Sequence, residues 1–350
     1  MPEAPKREQI IDPAQRIIDP HHHLWDRRNL ISALPNPLTH AFQNVLKRSP
    51  VYLLDELLAD VNSGHNIVAT VFIECRASYR ADGPDHLKPV GEVEFVNGIA
   101  ALSASGVYGP ARACAAIVGH ADLTLGAKAG EVLDALDHAG NGRFRGIRHS
   151  ASWDADTTVL GPLALRPPKL FLDPKFREGF KEVVKRDMTF EAWMLEPQLP
   201  DLIDLARAFP TARIVLDHVG TPLAIGAYKG KREERFSIWR DNIRTLAKCE
   251  NVHVKLGGLA MPFCGFDSCL SEPRAPSAQL AKEWGPYIEI CIEAFGPKRS
   301  MFESNFPVDE LSCDYATLWN ALKLSVKGAS AAEKDELFFG AANRFYRLGL

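Results

Sequence analysis

The sequence predicts a single (β/α)₈ barrel, in which eight parallel strands are each followed by a helix. Three observations predict it. Short apolar strands alternate with amphipathic stretches over about residues 16–325, the composition shows no break along this range, and polar residues follow the strands. A doubly wound open sheet is the structural alternative, but the sequence lacks its glycine-rich phosphate-binding loop. We therefore expect one domain over residues 1–350.

The first four strand–helix units follow from the hydrophobic pattern. A long β-branched run from Asn66 to Glu74 is typical of a strand buried on both faces. Pro174 opens a helix in the first turn, where proline is tolerated. The predicted strands are 16–19, 66–74, 113–118 and 144–147, and the other predicted helices are 53–62, 93–105 and 127–139.

The second four units are shorter and follow the same alternation. Their predicted strands are 189–193, 213–216, 252–256 and 301–302, and their predicted helices are 199–209, 236–248, 284–295 and 315–324. Extended loops 26–50 and 257–280, rich in Pro, Asn, Gly and Ser, follow strands one and seven. We interpret them as lids over the catalytic face, with oligomer contacts or plain surface loops as the alternatives. Residues 331–350 are expected to form a helical closure.

Composition excludes several classes of partner. The net charge is −3, so no global field attracts nucleic acid or an anionic membrane. The basic run 229–232 is interpreted as a surface loop, because two glutamates follow it. No stretch resembles a signal peptide or a membrane span, and the N-terminus is polar. Seven cysteines without C-x-x-C spacing favour reduced thiols in the cytoplasm. We expect a small-molecule substrate, with a homo-oligomer left open.

Three consecutive histidines follow the first strand. His21 and His23 are two residues apart, so in extended backbone their side chains point the same way and can converge on one metal ion or one substrate. Imidazole suits Zn²⁺ and similar divalent metals. His22 should point the other way, into packing.

Charged residues end strands two and four. Glu74 needs a partner, and either a structural ion pair with Arg76 or Arg80 or a role in the site is open. Arg148 and His149 end strand four, where a guanidinium facing the pocket can hold a substrate carboxylate by paired hydrogen bonds.

Asp217 and His218 end strand six, where one can serve as general base or metal ligand while the other orients it. Lys255 lies within strand seven and is interpreted as pointing outward. A non-enzymatic interpretation would make all these residues caps and ion pairs. It does not explain why strands one, two, four, six and eight all end in such groups.

Several of these stretches resemble the amidohydrolase-related family, typified by sugar-acid lactonases such as L-fuconolactonase and by 2-pyrone-4,6-dicarboxylate lactonase. They occur in the family's order over almost the whole chain, and the most specific are the I-D-x-H-x-H-x-W opening and the L-D-H-x-G-x-P segment. The matching stretches are 18–26, 145–149, 214–222, 254–259 and 301–308.

The resemblance implies a (β/α)₈ barrel that hydrolyses a lactone or a related carbonyl bond, often with a divalent metal, zinc first among them. It implies His21, His23 and His218 as metal ligands, and Trp25 beside the substrate with Arg148 and His149. Some lactonases of the family act without any metal.

One departure concerns the last strand. Asn305 stands where the family usually has an aspartate that binds metal or activates water. An amide cannot accept that proton, so Glu303, Glu74 or Asp217 becomes the candidate base. Two rivals remain open: a barrel lyase, that is a decarboxylase or hydratase, and a catalytically impaired relative that binds a ligand.

Overall fold

The structure is a computed structural model that describes residues 8–350. The first seven residues, which carry most of the polar N-terminal stretch, lie outside the described residues. No helix within 8–350 is both long and apolar enough to cross a membrane.

Eight parallel strands form one sheet in which each strand pairs with its neighbour in the chain, as a (β/α)₈ barrel requires. A separate two-stranded ribbon joins Trp25–Asp26 to Val51–Tyr52. The barrel strands β1 to β8 are Arg16–His22, Asn66–Ile73, Arg112–Gly119, Phe144–Arg148, Thr189–Ala192, Arg213–Leu216, Val252–Leu256 and Ser300–Phe302.

A helix follows each barrel strand and covers the outside of the sheet. The helices α1 to α8 are Leu54–Val61, Val90–Ala104, Ala129–Gly140, Pro174–Lys185, Leu199–Ala208, Arg232–Leu246, Ser277–Phe295 and Tyr315–Ser325. Short helices interrupt the loops at Arg28–Ile31, Asn44–Arg48 and Thr157–Leu160, and others at Ala331–Asp335, Glu336–Gly340 and Ala341–Phe345 form the closure. The predicted fold is therefore confirmed.

The two sequence-distant ends of the sheet meet and close the barrel. The amide of Asn305 donates to the carbonyl of His21 at 2.9 Å, and the amide of His23 donates to the carbonyl of Phe306 at 2.8 Å. These bonds fix the segment after β8 beside the segment after β1. The functional candidates at the two ends are thereby brought side by side.

Two predicted helices begin earlier than expected. α6 begins at Arg232 rather than at residue 236, so the basic run is only partly loop. Glu233 and Glu234 occupy its first turn, where negative charge is favourable beside the helix N-terminus. α7 begins at Ser277 rather than at residue 284 and continues through Pro286. Local propensity underestimated both helices because packing against the barrel determines their length.

The C-terminal closure packs into the barrel from the end opposite the loops that follow the strands. Phe339, Phe345 and Tyr346 belong to one buried cluster with interior strand residues such as Ile18 and Val71. The interior is thereby plugged at one end and open to a pocket at the other. This asymmetry places the site at the carboxyl ends of the strands.

Candidate functional site

A pocket of about 350 Å³ opens at the carboxyl ends of the strands. The loops after β1 and β7 contribute to its wall, the first of them through Phe42 and Val45 and the second through Met261. Charged and imidazole side chains in the lining are His23, Arg27, Glu74, Arg76, Arg148, Arg166 and His218.

The histidines after β1 divide between the pocket side and the packing side. His21 and His23 lie with ring centroids 5.1 Å apart. His22 points away, and its Nε2 lies 2.8 Å from the hydroxyl of Thr70. The predicted alternation of the three side chains is confirmed.

The ring of His23 is fixed through its Nδ1 by a backbone carbonyl. Its Nδ1 lies 2.8 Å from the carbonyl oxygen of Ile73, so Nδ1 carries the proton and donates. Burial and the charge of Arg148 lower the pKa of His23 well below its usual value. The neutral ring therefore keeps an unprotonated Nε2 at the pocket.

Glu303 lies behind two other histidines and contacts both. Its Oε1 accepts a hydrogen bond from Nδ1 of His218 at 2.7 Å, and its Oε2 lies 2.7 Å from Nδ1 of His21. Nδ1 of His218 therefore carries the proton, and its Nε2 is unprotonated. Nδ1 of His21 faces both this carboxylate and the ammonium of Lys255 at 3.2 Å, and its Nε2 lies 3.3 Å from Nη1 of Arg148.

Two features of the backbone fix His218 in this position. His218 has φ of +56°, a left-handed conformation that is costly for a residue with a side chain. Gly258, at φ +64°, packs so closely against the ring that an added Cβ would lie 2.3 Å from Nδ1 of His218. The glycine after β7 is therefore required by the imidazole after β6.

Asp217 and Lys255 form the floor of the site, and both are fully buried. Nζ of Lys255 lies 3.5 Å from Oδ1 of Asp217 and 3.2 Å from Nδ1 of His21. Burial acts to raise the pKa of Asp217, but Lys255 foremost among the nearby positive charges outweighs it and holds the pKa below its usual value. Asp217 is therefore ionised.

The interpretation of Lys255 as an outward residue is wrong. Its ammonium points into the barrel and donates to Glu191 Oε2 at 2.5 Å, and the hydroxyl of Tyr346 donates to the other oxygen of Glu191 at 2.5 Å. Burial raises the pKa of Glu191 well above its usual value. A polar chain therefore runs from the C-terminal closure to the floor of the site.

Arg148 lines the pocket as predicted, but its guanidinium is already engaged. Nε donates to Glu74 Oε1 at 2.8 Å, and Nη2 donates to the backbone carbonyl of Glu74. Nη1 lies 3.3 Å from Nε2 of His21 and 3.5 Å from Oδ2 of Asp217. The predicted free fork for a substrate carboxylate is not available at Arg148. Arg148 is also the partner of Glu74, in place of Arg76 or Arg80.

His149 does not reach the pocket. Its Nδ1 accepts a hydrogen bond from the amide of Leu123 at 3.2 Å, and its ring packs against Phe176 with centroids 5.5 Å apart. The neighbour of Arg148 along the strand points to the helix side because side chains alternate. Trp25, by contrast, does line the pocket, and its indole donates to the carbonyl of Ser49 at 2.8 Å.

Asn305 also lines the pocket, with a left-handed φ of +55°. Its side-chain amide donates to Oδ1 of Asp309 at 2.7 Å. Burial raises the pKa of Asp309 well above its usual value. The position where the family resemblance implies an aspartate is thus an amide that is paired with a buried carboxyl group.

Three of these residues form a group with the donor chemistry of a metal site. One ligand atom from each of His21, Asp217 and His218 lies within 4.8 Å of the others. Oδ1 of Asp217 also has no hydrogen-bond partner among residues 8–350. Two nitrogen donors and one carboxylate suit a divalent transition metal. An ion on Nε2 of His21 would compete with its contact to Arg148. His23 is outside this group.

Sequence reasoning missed Lys255, Glu191, Arg27 and Arg166 as parts of the site. A signal existed for the first two. Val252, Val254 and Leu256 pack against the helices, so the alternation places Lys255 inside the barrel. Glu191 lies between Phe190 and Ala192, which pack in the same outer layer. The two arginines lie in loops, where no periodicity indicates direction.

Comparison with known proteins identifies similar chains. The family model described as amidohydrolase matches residues 18–348. An uncharacterized protein, y4mH, of Sinorhizobium fredii is 32% identical over 95% of this chain and 98% of its own length. An L-fucono-1,5-lactonase of Burkholderia multivorans is 26% identical, with 95% of this chain and 96% of the relative covered.

A solved structure resembles the whole barrel. A crystal structure of an amidohydrolase from Burkholderia multivorans with bound zinc matches with a TM-score of 0.71 and 26% identity. The match covers 95% of this chain and 99% of the other.

Proposed function

This chain belongs to the amidohydrolase family, and on that premise we propose that it is a hydrolase that opens a lactone or a related carbonyl bond in a small polar substrate. The observation that carries the proposal is the convergence of His21, Asp217 and His218 within 4.8 Å of one another, with His218 lining the pocket and the other two buried behind it. Such a group serves metal-assisted hydrolysis of carbonyl compounds. The lactonase name of a relative that is 26% identical over nearly the full length supports the same class.

We propose zinc as the metal, since imidazole nitrogen and carboxylate oxygen suit it and a similar barrel binds it. His21, Asp217 and His218 would hold the ion. When bound, the metal polarises the carbonyl group and lowers the pKa of a water molecule.

The protein side chains have separate roles around that centre. Glu303 fixes the tautomer of His218 and lies against the ring of His21, so it acts as a positioning residue rather than as the base. His23 presents an unprotonated Nε2 to the pocket and can accept a proton from the attacking water. Trp25 lies beside the substrate. Glu74 is held by Arg148 and is not free to act as the base.

The test combines elemental analysis of the purified protein with a screen of aldonolactones and carboxylated lactones. Asp217→Asn should lower kcat/KM for the best lactone at least about 100-fold, as expected for loss of a metal ligand or base. The matched control is Asp204→Asn, which removes an ion pair with Arg177 at the surface. Lactones left intact by metal-loaded protein would exclude the proposal.

A lyase is the second candidate, and Asn305 favours it because an amide cannot act as the base that activates water. Glu74 is the one carboxylate in the described lining of the pocket, and it is held by Arg148. Decarboxylation needs no such base. Release of carbon dioxide from aromatic carboxylates, measured beside lactone opening, separates the two reactions. Tight ligand binding without either reaction would indicate an impaired relative.

We retain the cytoplasm as the proposed location. All seven cysteines are unpaired in the described part of the chain, which a reducing compartment favours.

Burial raises the pKa of Cys75 above its usual value, so this pocket-lining thiol is a poor nucleophile.

A further inference from the structure

Two arginines at the pocket have no acidic partner. Neither Arg76 nor Arg166 takes part in any hydrogen bond or ion pair recorded for residues 8–350, although both line the pocket. The other two arginines of the lining are occupied. Arg148 is engaged by Glu74, and Arg27 donates to the carbonyl of Cys75 while it lies 4.4 Å from the ring centroid of Trp25.

The charge of the lining is therefore unbalanced. Four guanidinium groups face one carboxylate, and that carboxylate is already paired. Arg166 is partly buried, whereas Arg76 is exposed, and burial together with the charge of Arg76 lowers the pKa of Arg166. An anion between these two positive charges would stabilise them.

The backbone at Arg76 is held in place by a buried acid. Arg76 has φ of +62°, a left-handed conformation that is unfavourable for a residue with a side chain. Oε1 of fully buried Glu92 accepts hydrogen bonds from the amides on both sides, at 3.0 Å from Cys75 and 2.8 Å from Ala77. These two hydrogen bonds fix the backbone on both sides of Arg76, at a position whose side chain lines the pocket.

The rest of the wall is largely apolar and aromatic, with Trp25, Phe42 and Trp193 among its side chains. A ligand that fits it has an apolar body and an anionic end. A polyhydroxylated neutral sugar lactone would leave most of its hydroxyl groups facing hydrocarbon.

We propose that Arg76 and Arg166 form a subsite for a substrate carboxylate that lies away from the reacting carbonyl. This inference rests on the proposed function, and it narrows the substrate to carboxylated lactones with an apolar body. The carboxylate would sit between the two guanidinium groups, and the apolar body would pack on the aromatic wall beside His218.

The test uses two probes that differ by one carboxylate, 5-carboxyphthalide and phthalide. Binding is measured by calorimetry and ring opening by chromatography, for wild type, Arg76→Gln and Arg166→Gln. We expect each variant to weaken binding of 5-carboxyphthalide about tenfold, as expected for loss of a charge-assisted hydrogen bond, and to leave phthalide unchanged. The control is Arg80→Gln on the same loop, where Arg80 pairs with Glu94 outside the pocket. It should change neither probe.

The outcomes separate this inference from the proposed hydrolysis. Arginine-dependent binding without ring opening supports the subsite and counts against the lactonase. Ring opening of both probes with equal efficiency, unaffected by either variant, overturns the subsite and leaves the lactonase standing. Equal binding of both probes by all variants, with their folding checked by circular dichroism, also overturns it.

Discussion

Oε1 of Glu303 accepts a hydrogen bond from Nδ1 of His218 at 2.7 Å, so the imidazole presents Nε2 to the pocket. Glu303→Gln keeps the shape but removes the charge that fixes this tautomer. We expect metal content and kcat/KM to fall together about 10–100-fold, as for other residues that orient metal ligands. Elemental analysis beside kinetics checks this. Full metal content together with a loss in kcat/KM of about 10³-fold or more would indicate that Glu303 is the base.

The pair formed by Arg148 and Glu74 is buried, with side chains 7% and 9% exposed. Arg148→Met leaves a buried carboxylate without a partner and should lower the free energy of unfolding by about 3–5 kcal/mol. Arg148→Met combined with Glu74→Leu removes both charges and should recover part of that loss. Urea unfolding of the single and double variants measures the coupling. Strict additivity would show that the two charges do not depend on each other.

Asn305 and Asp309 can exchange roles. Asn305→Asp places two carboxyl groups where an amide now donates at 2.7 Å, so the single variant should lose stability, most strongly above neutral pH. The swap of Asn305→Asp with Asp309→Asn restores a donor and an acceptor. We expect the swap to regain the melting temperature. A swap no more stable than the single variant would mean that this hydrogen bond does not stabilise the segment between residues 305 and 309.

Glu92 should make stability depend on pH. Burial raises its pKa from the usual 4.5 to about 8 in the folded protein. Between these values the folded state binds more protons at Glu92 than the unfolded state, so the contribution of Glu92 to stability is greatest below about pH 4.5 and falls as the pH rises toward 8. In Glu92→Gln the melting temperature should depend less on pH over this window, while the amide oxygen of the new side chain still accepts hydrogen bonds from the amides of Cys75 and Ala77. If the melting temperature of the variant depends on pH as steeply as that of the wild type, the dependence belongs to other groups.

Tyr346 donates to Glu191 inside the barrel, and Tyr346→Phe removes only this hydroxyl group. Loss of a hydrogen bond to a carboxyl group should lower the free energy of unfolding by about 1–3 kcal/mol. Tyr108→Phe is the control, because Tyr108 is 41% exposed. Denaturant titration compares them. Equal stability of both variants would show that the hydroxyl does not stabilise the interior.

The sequence predicted the order of strands and helices because hydrophobic periodicity reflects burial directly. It also indicated that His22 faces away from His21, since alternation follows from strand geometry. The resemblance implied both His23 and His218 as ligands beside His21, but the sequence could not show that His23 lies outside the group, because the position of its ring depends on a contact with the carbonyl of Ile73. It could not show that Glu74 occupies Arg148 either. Contacts between residues 74 positions apart are set by tertiary packing, which no local pattern encodes.

The bond between Tyr346 and Glu191 joins residues 155 positions apart and connects the floor of the site to the last turn of the chain. During synthesis, the first seven strand–helix units leave the ribosome before the partners that complete their interior exist. Glu191, which contacts Lys255, then lacks its hydrogen bond from the hydroxyl group of Tyr346, and β1 lacks β8 as its neighbour. Assembly of the centre is therefore a late event that requires synthesis through Tyr346, and translation products that stop before it are expected to be inactive.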